Sequence, residues 1–114
     1  MVHNVKNMTK PGLLLGEFEQ IVLLALMRLG PDACGATIRR EIEAKTGRDL
    51  AISAVYITLD RLETKGFVRS RVGDPTPQRG GRRRKHFVLL PVGKRAITQA
   101  CRAFQLMTEG LGLV

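Results

Sequence analysis

The sequence predicts a mainly α-helical fold that carries one small β-hairpin. Four segments place their apolar residues three and four positions apart, which is the spacing of an amphipathic helix. Between the third and the fourth of these segments, two short β-prone runs flank a stretch rich in glycine, proline and arginine. With 114 residues, 44% of them hydrophobic and none of them tryptophan, the chain has the length of one domain with an aliphatic core.

The first predicted helix covers residues 13–30 and follows a flexible arm, residues 1–12. Glu17 and Glu19 suit the positive end of its dipole, and Gly30 marks its end. Its apolar face consists of Phe18, Ile21, Val22, Ala25, Leu26 and Leu29. The spacing therefore predicts a helix with one wide face against the core.

A second helix is predicted over residues 33–47, since Cys34, Ile38 and Ile42 recur every four residues. The alternation in residues 49–53 then predicts one very short strand, after which Ser53 is expected to cap a third helix.

The third predicted helix covers residues 54–66 and has two distinct faces. Its buried stripe is expected to be Val55, Leu59 and Leu62, and its exposed stripe Ala54, Thr58, Arg61 and Lys65. Two helices joined by a tight connection predict a helix-turn-helix, in which the second helix enters the DNA major groove.

The two β-prone runs, FVRSRV and RKHFVLL, predict a hairpin with a long tip. Residues 69–85 contain seven arginines and lysines and a single acidic residue, Asp74. Their net charge is +6, out of +9 for the whole chain. Clustering of this kind predicts a polyanionic partner, because solubility alone does not require it. Arginines of such a loop insert into a narrow minor groove or pair with phosphates.

The last predicted helix begins at Pro91 and is about 20 residues long, or on the order of 30 Å. Its apolar face consists of Val92, Ala96, Ala100, Ala103, Phe104, Met107 and Leu111. A small domain does not cover so long a stripe, so a partner helix is expected. The predicted organisation is a winged helix-turn-helix domain over residues 13–90 with an extra C-terminal dimerisation helix over residues 91–114.

With this order of elements, the chain resembles the PadR family of bacterial transcriptional regulators. The resemblance covers roughly residues 13–98 and is carried by LGEFEQIVLLALMRLG, CGATIRREIE, SAVYITLDRLETKGFVRSR and RGGRRRKHFVLLPVGKRAI. It implies a homodimeric repressor that binds double-stranded DNA at a near-palindromic operator. A small-molecule inducer is left open, since no residue pattern identifies one.

The residues expected to bind DNA lie on the third helix and in the hairpin. They are Ser53, Ala54, Tyr56, Ile57, Thr58, Arg61, Lys65, Arg79, Arg82, Arg83 and Arg84. In the family the tyrosine equivalent to Tyr56 contacts a phosphate. The alternative is a core tyrosine whose hydroxyl satisfies a buried carbonyl.

The residues expected to form the dimer lie near both ends of the domain. They are Leu13, Leu14, Ala96, Ile97, Ala100, Ala103, Phe104, Met107 and Leu111. A dimer with this symmetry must hold its two recognition helices about 34 to 36 Å apart to meet successive major grooves.

Other classes of function are less well supported by the residues. No nucleophile with a nearby base, phosphate-binding glycine loop or metal-ligand spacing is present, and no cofactor is expected. A winged helix that binds RNA or an acidic protein remains the alternative. Cys34 and Cys101 are predicted to be buried free thiols, and the N-terminus lacks a signal-peptide pattern, so a cytoplasmic location without a membrane segment is expected.

Overall fold

The computed structural model describes residues 15–73 and 84–113, which form four α-helices and a two-stranded antiparallel hairpin. Helix α1 (Glu17–Leu29) runs into a 3₁₀ turn (Gly30–Asp32) and is followed by α2 (Gly35–Thr46) and α3 (Ile52–Thr64). The hairpin consists of β1 (Val68–Val72) and β2 (Lys85–Leu89), and α4 (Pro91–Thr108) follows it. The predicted fold class is confirmed, including the extra C-terminal helix. The predicted arm, residues 1–12, lies outside the described residues.

One aliphatic core holds the three N-terminal helices, the hairpin and the start of α4 together. The predicted stripe of α3 is buried: Val55, Leu59 and Leu62 are each 0% exposed. Phe87 of β2 enters the same core from the hairpin. The core also includes Val22, Leu23, Leu26, Ile38, Ile42, Val68 and Ile97. Helical periodicity therefore located the core correctly on α2 and α3, whereas the face predicted for α1 omitted the buried Leu23.

The short strand predicted at residues 49–53 is wrong, and so is the cap assigned to Ser53. The backbone N–H of Leu50 donates to the side chain of Glu43 at 2.9 Å, so this N–H does not bond to a neighbouring strand. Helix α3 begins at Ile52 with Ala51 as its N-cap, and no side chain caps it. Ser53 is consequently the second residue of the helix.

The two residues before α2, Ala33 and Cys34, pair with the hairpin. Cys34 forms an isolated antiparallel bridge with His86, and the N–H of Phe87 donates to the carbonyl of Ala33 at 2.9 Å. Helix α2 begins only after this bridge, with Cys34 as its N-cap. The sequence prediction that Cys34 is a helical residue is therefore wrong by one position, although its side chain is buried as expected.

The register of the hairpin pairs Val68 with Leu89 and Ser70 with Phe87, as alternating inward residues require. The hairpin leads directly into α4, and the N–H of Leu90 donates to the carbonyl of Phe67 at 2.9 Å. Gly93, in the first turn of α4, lies so close to the same carbonyl that a β-carbon there would be 2.3 Å from its oxygen. Backbone contact thus fixes where α4 leaves the domain.

Helix α4 divides into a packed half and an exposed half. Ile97 is 1% exposed and belongs to the chain's own core, with Ala96 and Ala100 packed against that core. The prediction that Ile97 belongs to a dimer surface is therefore wrong. Beyond residue 102 the apolar side chains of the helix are exposed. The helix ends at Thr108, so Leu111 lies beyond it.

Cys101 lies on the exposed side of α4, so the prediction that both cysteines are buried is wrong for this residue. Within residues 15–73 and 84–113, every helix is too short or too polar to cross a bilayer.

Candidate nucleic-acid interface

The exposed face of α3 is the first part of the candidate site. Its exposed residues follow helical spacing of three and four: Ile52, Ser53, Tyr56, Ile57, Asp60, Arg61 and Thr64. Ile57 is 53% exposed and Tyr56 is 39% exposed, although both side chains are large and mostly apolar. Ile52, which is 36% exposed, adds a third large apolar side chain, and the three together make this face a candidate contact surface.

The exposed face of α3 is rotated around the helix axis by about one residue from the predicted exposed stripe. Thr58 is only 6% exposed, and Ala54 is half-buried. The reason is that α3 packs against α1, α2 and β1 together, which buries a wider arc than one stripe. Of the predicted stripe, only Arg61 is exposed. Ser53, Tyr56 and Ile57, which were also predicted, lie on the exposed face.

Tyr56 reaches from α3 across the first turn of α2. A β-carbon placed on Gly35 would lie 2.4 Å from Cζ and 2.5 Å from the hydroxyl oxygen of Tyr56, so the ring rests directly on the Gly35 backbone. No described residue forms a hydrogen bond with the Tyr56 hydroxyl. The interpretation of Tyr56 as a core tyrosine bound to a buried carbonyl therefore does not fit, and its hydroxyl lies over the first turn of α2.

Lys65, predicted to contact DNA, is engaged within the domain. Its Nζ lies 2.9 and 2.8 Å from the two carboxylate oxygens of Glu19, and the Glu19 side chain is only 11% exposed. Glu19 also accepts the N–H of Gly16 at 2.8 Å, so the carboxylate joins the start of α1 to the end of α3. No sequence pattern reveals this pair, because its members lie 46 positions apart.

Burial alone would raise the pKa of Glu19, but the hydrogen bonds from Lys65 and Gly16 outweigh it and lower that pKa below its ordinary value of 4.5. A carboxylate with a lowered folded-state pKa stabilises the protein above the unfolded-state pKa, and this contribution is lost as the pH falls through the folded-state pKa.

We expect Glu19→Gln to lower the free energy of unfolding by about 2 kcal/mol at pH 7, since a carboxylate that pairs with Lys65 in a mostly buried place is lost. The difference from the wild type should shrink as the pH falls below the unfolded-state pKa and disappear below the folded-state pKa of Glu19, where protonation makes Glu19 resemble glutamine. Urea denaturation at pH 7 and at an acidic pH below the folded-state pKa measures this. Glu17→Gln, which alters the exposed pair with Arg48, serves as the control and should change the stability little at either pH. A difference that is the same at both pH values would contradict the assignment.

The hairpin is held against α3 by Glu63 near the end of that helix. Its carboxylate accepts the backbone N–H of Ser70 at 3.0 Å and the Ser70 hydroxyl at 2.8 Å. These hydrogen bonds lower the pKa of Glu63, so it stays ionised near neutral pH. The orientation of the hairpin relative to α3 is thereby fixed at its base.

The outward face of the hairpin is basic. Arg69 and Arg71 alternate with the inward residues of β1, and both are exposed. They were counted in the charge cluster but not predicted as contacts, although their spacing of two positions is the signal of a shared strand face. Arg84 is exposed at the start of the return strand, with Nη1 3.9 Å from the Cys34 sulfur. The other predicted loop arginines, Arg79, Arg82 and Arg83, lie outside the described residues.

Comparison with known proteins agrees with this geometry. The model of the transcriptional regulator PadR-like family matches residues 23–99, which include the whole helix-turn-helix, the hairpin and the start of α4. The chain belongs to this family. As a PadR-like regulator it is of a kind that binds DNA, and the exposed faces of α3 and the hairpin lie within the matched residues.

Solved structures share the fold of this PadR-like chain. A PadR family transcription regulator from hypervirulent Clostridium difficile R20291 is 21% identical, with a TM-score of 0.67 over 82% of this chain and 93% of that chain. A transcriptional regulator from Clostridium thermocellum is 25% identical, with a TM-score of 0.66 over 82% and 87%. A PadR family regulator from Eggerthella lenta DSM 2243 is 22% identical, with a TM-score of 0.66 over 84% and 83%. No curated protein matches the chain significantly.

Beyond the residues of the PadR-like match, the end of α4 and the residues after it present an apolar surface, which we call the C-terminal apolar surface. Its members are 54–77% exposed: Phe104, Leu106, Met107, Leu111 and Leu113. On α1, Leu24 and Met27 are also exposed, and they border a groove shared with Cys101 of α4. Leu13 and Leu14, which were also predicted to form the dimer, lie outside the described residues.

Proposed function

We propose that this PadR-like protein is a sequence-specific transcriptional repressor that binds a near-palindromic operator as a homodimer. The observation that carries the proposal is the exposed face of α3, where Tyr56 is 39% exposed and Ile57 is 53% exposed. In a helix-turn-helix, this face is the one that meets the edges of the bases. The repressor role itself rests on the resemblance to the family.

The chemistry of this face suits a major groove. The aliphatic side chain of Ile57 offers apolar contact to a thymine methyl group, and Arg61 offers paired donors to a guanine edge or a phosphate. Ser53, at the N-terminal end of α3, adds a hydroxyl that can donate or accept a hydrogen bond. Thr58 is left out of the proposed base contacts because it is buried.

The hairpin is proposed to supply the electrostatic part of binding. Arg69, Arg71 and Arg84 belong to its described residues, and the chain between residues 74 and 83 carries three further arginines. If about six phosphates are neutralised by each protomer, the logarithm of the affinity falls with the logarithm of the salt concentration at a slope near −5 for each protomer, or roughly −11 for a dimer.

The homodimer is proposed from the C-terminal apolar surface. Apolar side chains that are 54–77% exposed on one helix end cost free energy in water, and burial against the same surface of a second copy removes that cost. A two-fold axis between copies would present two recognition helices to two half-sites, so we propose a near-palindromic operator.

The test is fluorescence anisotropy with a duplex from the protein's own promoter region and a scrambled duplex of the same length, each titrated at several salt concentrations. We expect a steep salt slope and a preference of 10³ or more for the native sequence. A flat salt dependence would exclude the proposed phosphate contacts. Equal affinity for the scrambled duplex, or higher affinity for RNA of the same sequence, would exclude a sequence-specific operator.

Replacing Arg82, Arg83 and Arg84 together with alanine is expected to weaken binding to both duplexes alike. It should also reduce the steepness of the salt slope by about 3 for each protomer, because phosphate contacts are lost and base contacts remain. The matched control is Arg95→Ala, which removes an exposed cation from α4. If the triple variant keeps the wild-type slope, these arginines do not contact phosphates.

A further inference from the structure

The backbone conformation at Gly35 does not require a glycine. It is the first residue of α2, it is buried, and it is absent from the glycines with positive φ. Alanine is a better helix former than glycine, so local structure alone would favour alanine here. The space above Gly35 explains the glycine instead, because it is filled by the ring of Tyr56.

We propose that Gly35 is a positioning residue for DNA binding, because its missing side chain lets the Tyr56 ring lie across α2 and so sets where the Tyr56 hydroxyl stands. A β-carbon at 2.4 Å from Cζ is closer than any real contact, so a methyl group must push the ring away by roughly 1 Å or more. The inference rests on the proposed function, since the hydroxyl is useful only where a nucleic-acid backbone passes.

The helices themselves do not give way to a methyl group. Helices α2 and α3 pack against each other through core residues that are 0–2% exposed, among them Ile38, Ile42, Val55 and Leu59. Tyr56 is 39% exposed, so its ring is free to swing toward solvent. A hydroxyl that donates to a phosphate needs an oxygen-to-oxygen distance of about 2.5 to 3.0 Å, and a displacement on the order of 1 Å removes that hydrogen bond.

The composition of the chain offers a direct probe. Tyr56 is the only tyrosine, so protein grown with 3-fluorotyrosine carries a single fluorine signal, which reports on the surroundings of this ring. We expect Gly35→Ala to shift that signal in the free protein. The matched control is Gly16→Ala at the N-cap of α1, where a β-carbon would lie 3.7 Å from Glu19, an ordinary contact, and the signal should stay in place.

Titration of a labelled promoter duplex completes the test. Gly35→Ala and Tyr56→Phe are each expected to weaken binding roughly tenfold or more, the effect of one hydrogen bond to a charged group. The double variant Gly35→Ala/Tyr56→Phe should be no weaker than either single variant by more than about twofold, because the same hydroxyl is lost in all three. If Gly35→Ala unfolds, Gly35→Ala/Tyr56→Leu should restore the fold by removing the ring.

The outcomes separate this inference from the proposed function. An unmoved fluorine signal in Gly35→Ala, wild-type affinity of Tyr56→Phe, or losses in the double variant that multiply would each overturn the role of Gly35. Wild-type protein that binds no duplex would overturn the proposed function, and with it the use of the hydroxyl. In that case the fluorine signal still tells whether Gly35 sets the position of the ring.

Discussion

Gly93→Ala is expected to lower the free energy of unfolding by about 3 kcal/mol, as severe overpacking does. A β-carbon on Gly93 would lie 2.3 Å from the carbonyl oxygen of Phe67 and 3.0 Å from its carbonyl carbon. These are backbone atoms, which do not rotate away as a side chain does. The same carbonyl accepts the N–H of Leu90 at 2.9 Å, so moving α4 aside also breaks the bond that joins it to the hairpin.

Urea denaturation followed by circular dichroism measures this loss, with both proteins at one concentration because association shifts apparent stability. The control is Gly73→Ala, where the nearest atom to a β-carbon lies at 3.5 Å and the contact is ordinary. We expect the control to differ little from the wild type. A loss below 1 kcal/mol for Gly93→Ala would mean that α4 slides without cost, contrary to the close packing described.

Elements that depend on local periodicity were predicted correctly. Val55, Leu59 and Leu62 are buried because three-and-four spacing puts them on one side of α3, whatever the rest of the chain does. The hairpin followed in the same way from two β-prone runs and a turn-rich segment. The prediction of a short strand at residues 49–53 was wrong because two alternating apolar residues are a weak signal for a strand. In the structure the N–H of Leu50 donates to the side chain of Glu43 and not to a neighbouring strand.

The orientation of α3 was harder to predict because two neighbouring faces both satisfy the helical spacing. The predicted exposed stripe included Thr58 and left out Asp60, whereas the structure buries Thr58 and exposes Asp60. Only the packing of α1, α2 and β1 around α3 decides between the two faces. The pair of Glu19 and Lys65 depends on the same tertiary arrangement, so a charge predicted to meet DNA is used inside the domain.

The apolar stripe of α4 is continuous in the sequence but serves two environments in the structure. Ile97 belongs to the core of its own chain, while Phe104 and Met107, seven and ten positions later, are 68% and 77% exposed. Periodicity shows that a side of a helix is apolar, but it does not show which chain covers it. The division falls where the helix extends past the rest of the domain, and this depends on how Gly93 anchors its first turn.

Phe104→Asp is expected to convert the proposed homodimer into a monomer. Full burial of a phenylalanine side chain is worth about 1.5 to 3 kcal/mol, and a two-fold axis doubles the effect because each substitution occurs twice in the interface. The introduced carboxylates also resist burial, so we expect the dimer dissociation constant to rise by about 10³ or more. Light scattering at micromolar concentration measures the change, and the fold of the monomer should survive because Phe104 is 68% exposed.

The same substitution should remove the preference for the operator, although it lies far along the chain from α3. A monomer places one recognition helix on one half-site and loses the second set of contacts, so specific affinity is expected to fall by about 10³ while weak salt-dependent binding remains. Val92→Asp is the matched control, since Val92 is a 42% exposed apolar residue at the other end of α4. Wild-type protein that is monomeric at micromolar concentration, or Phe104→Asp protein that stays dimeric, would show that the C-terminal apolar surface does not join two copies.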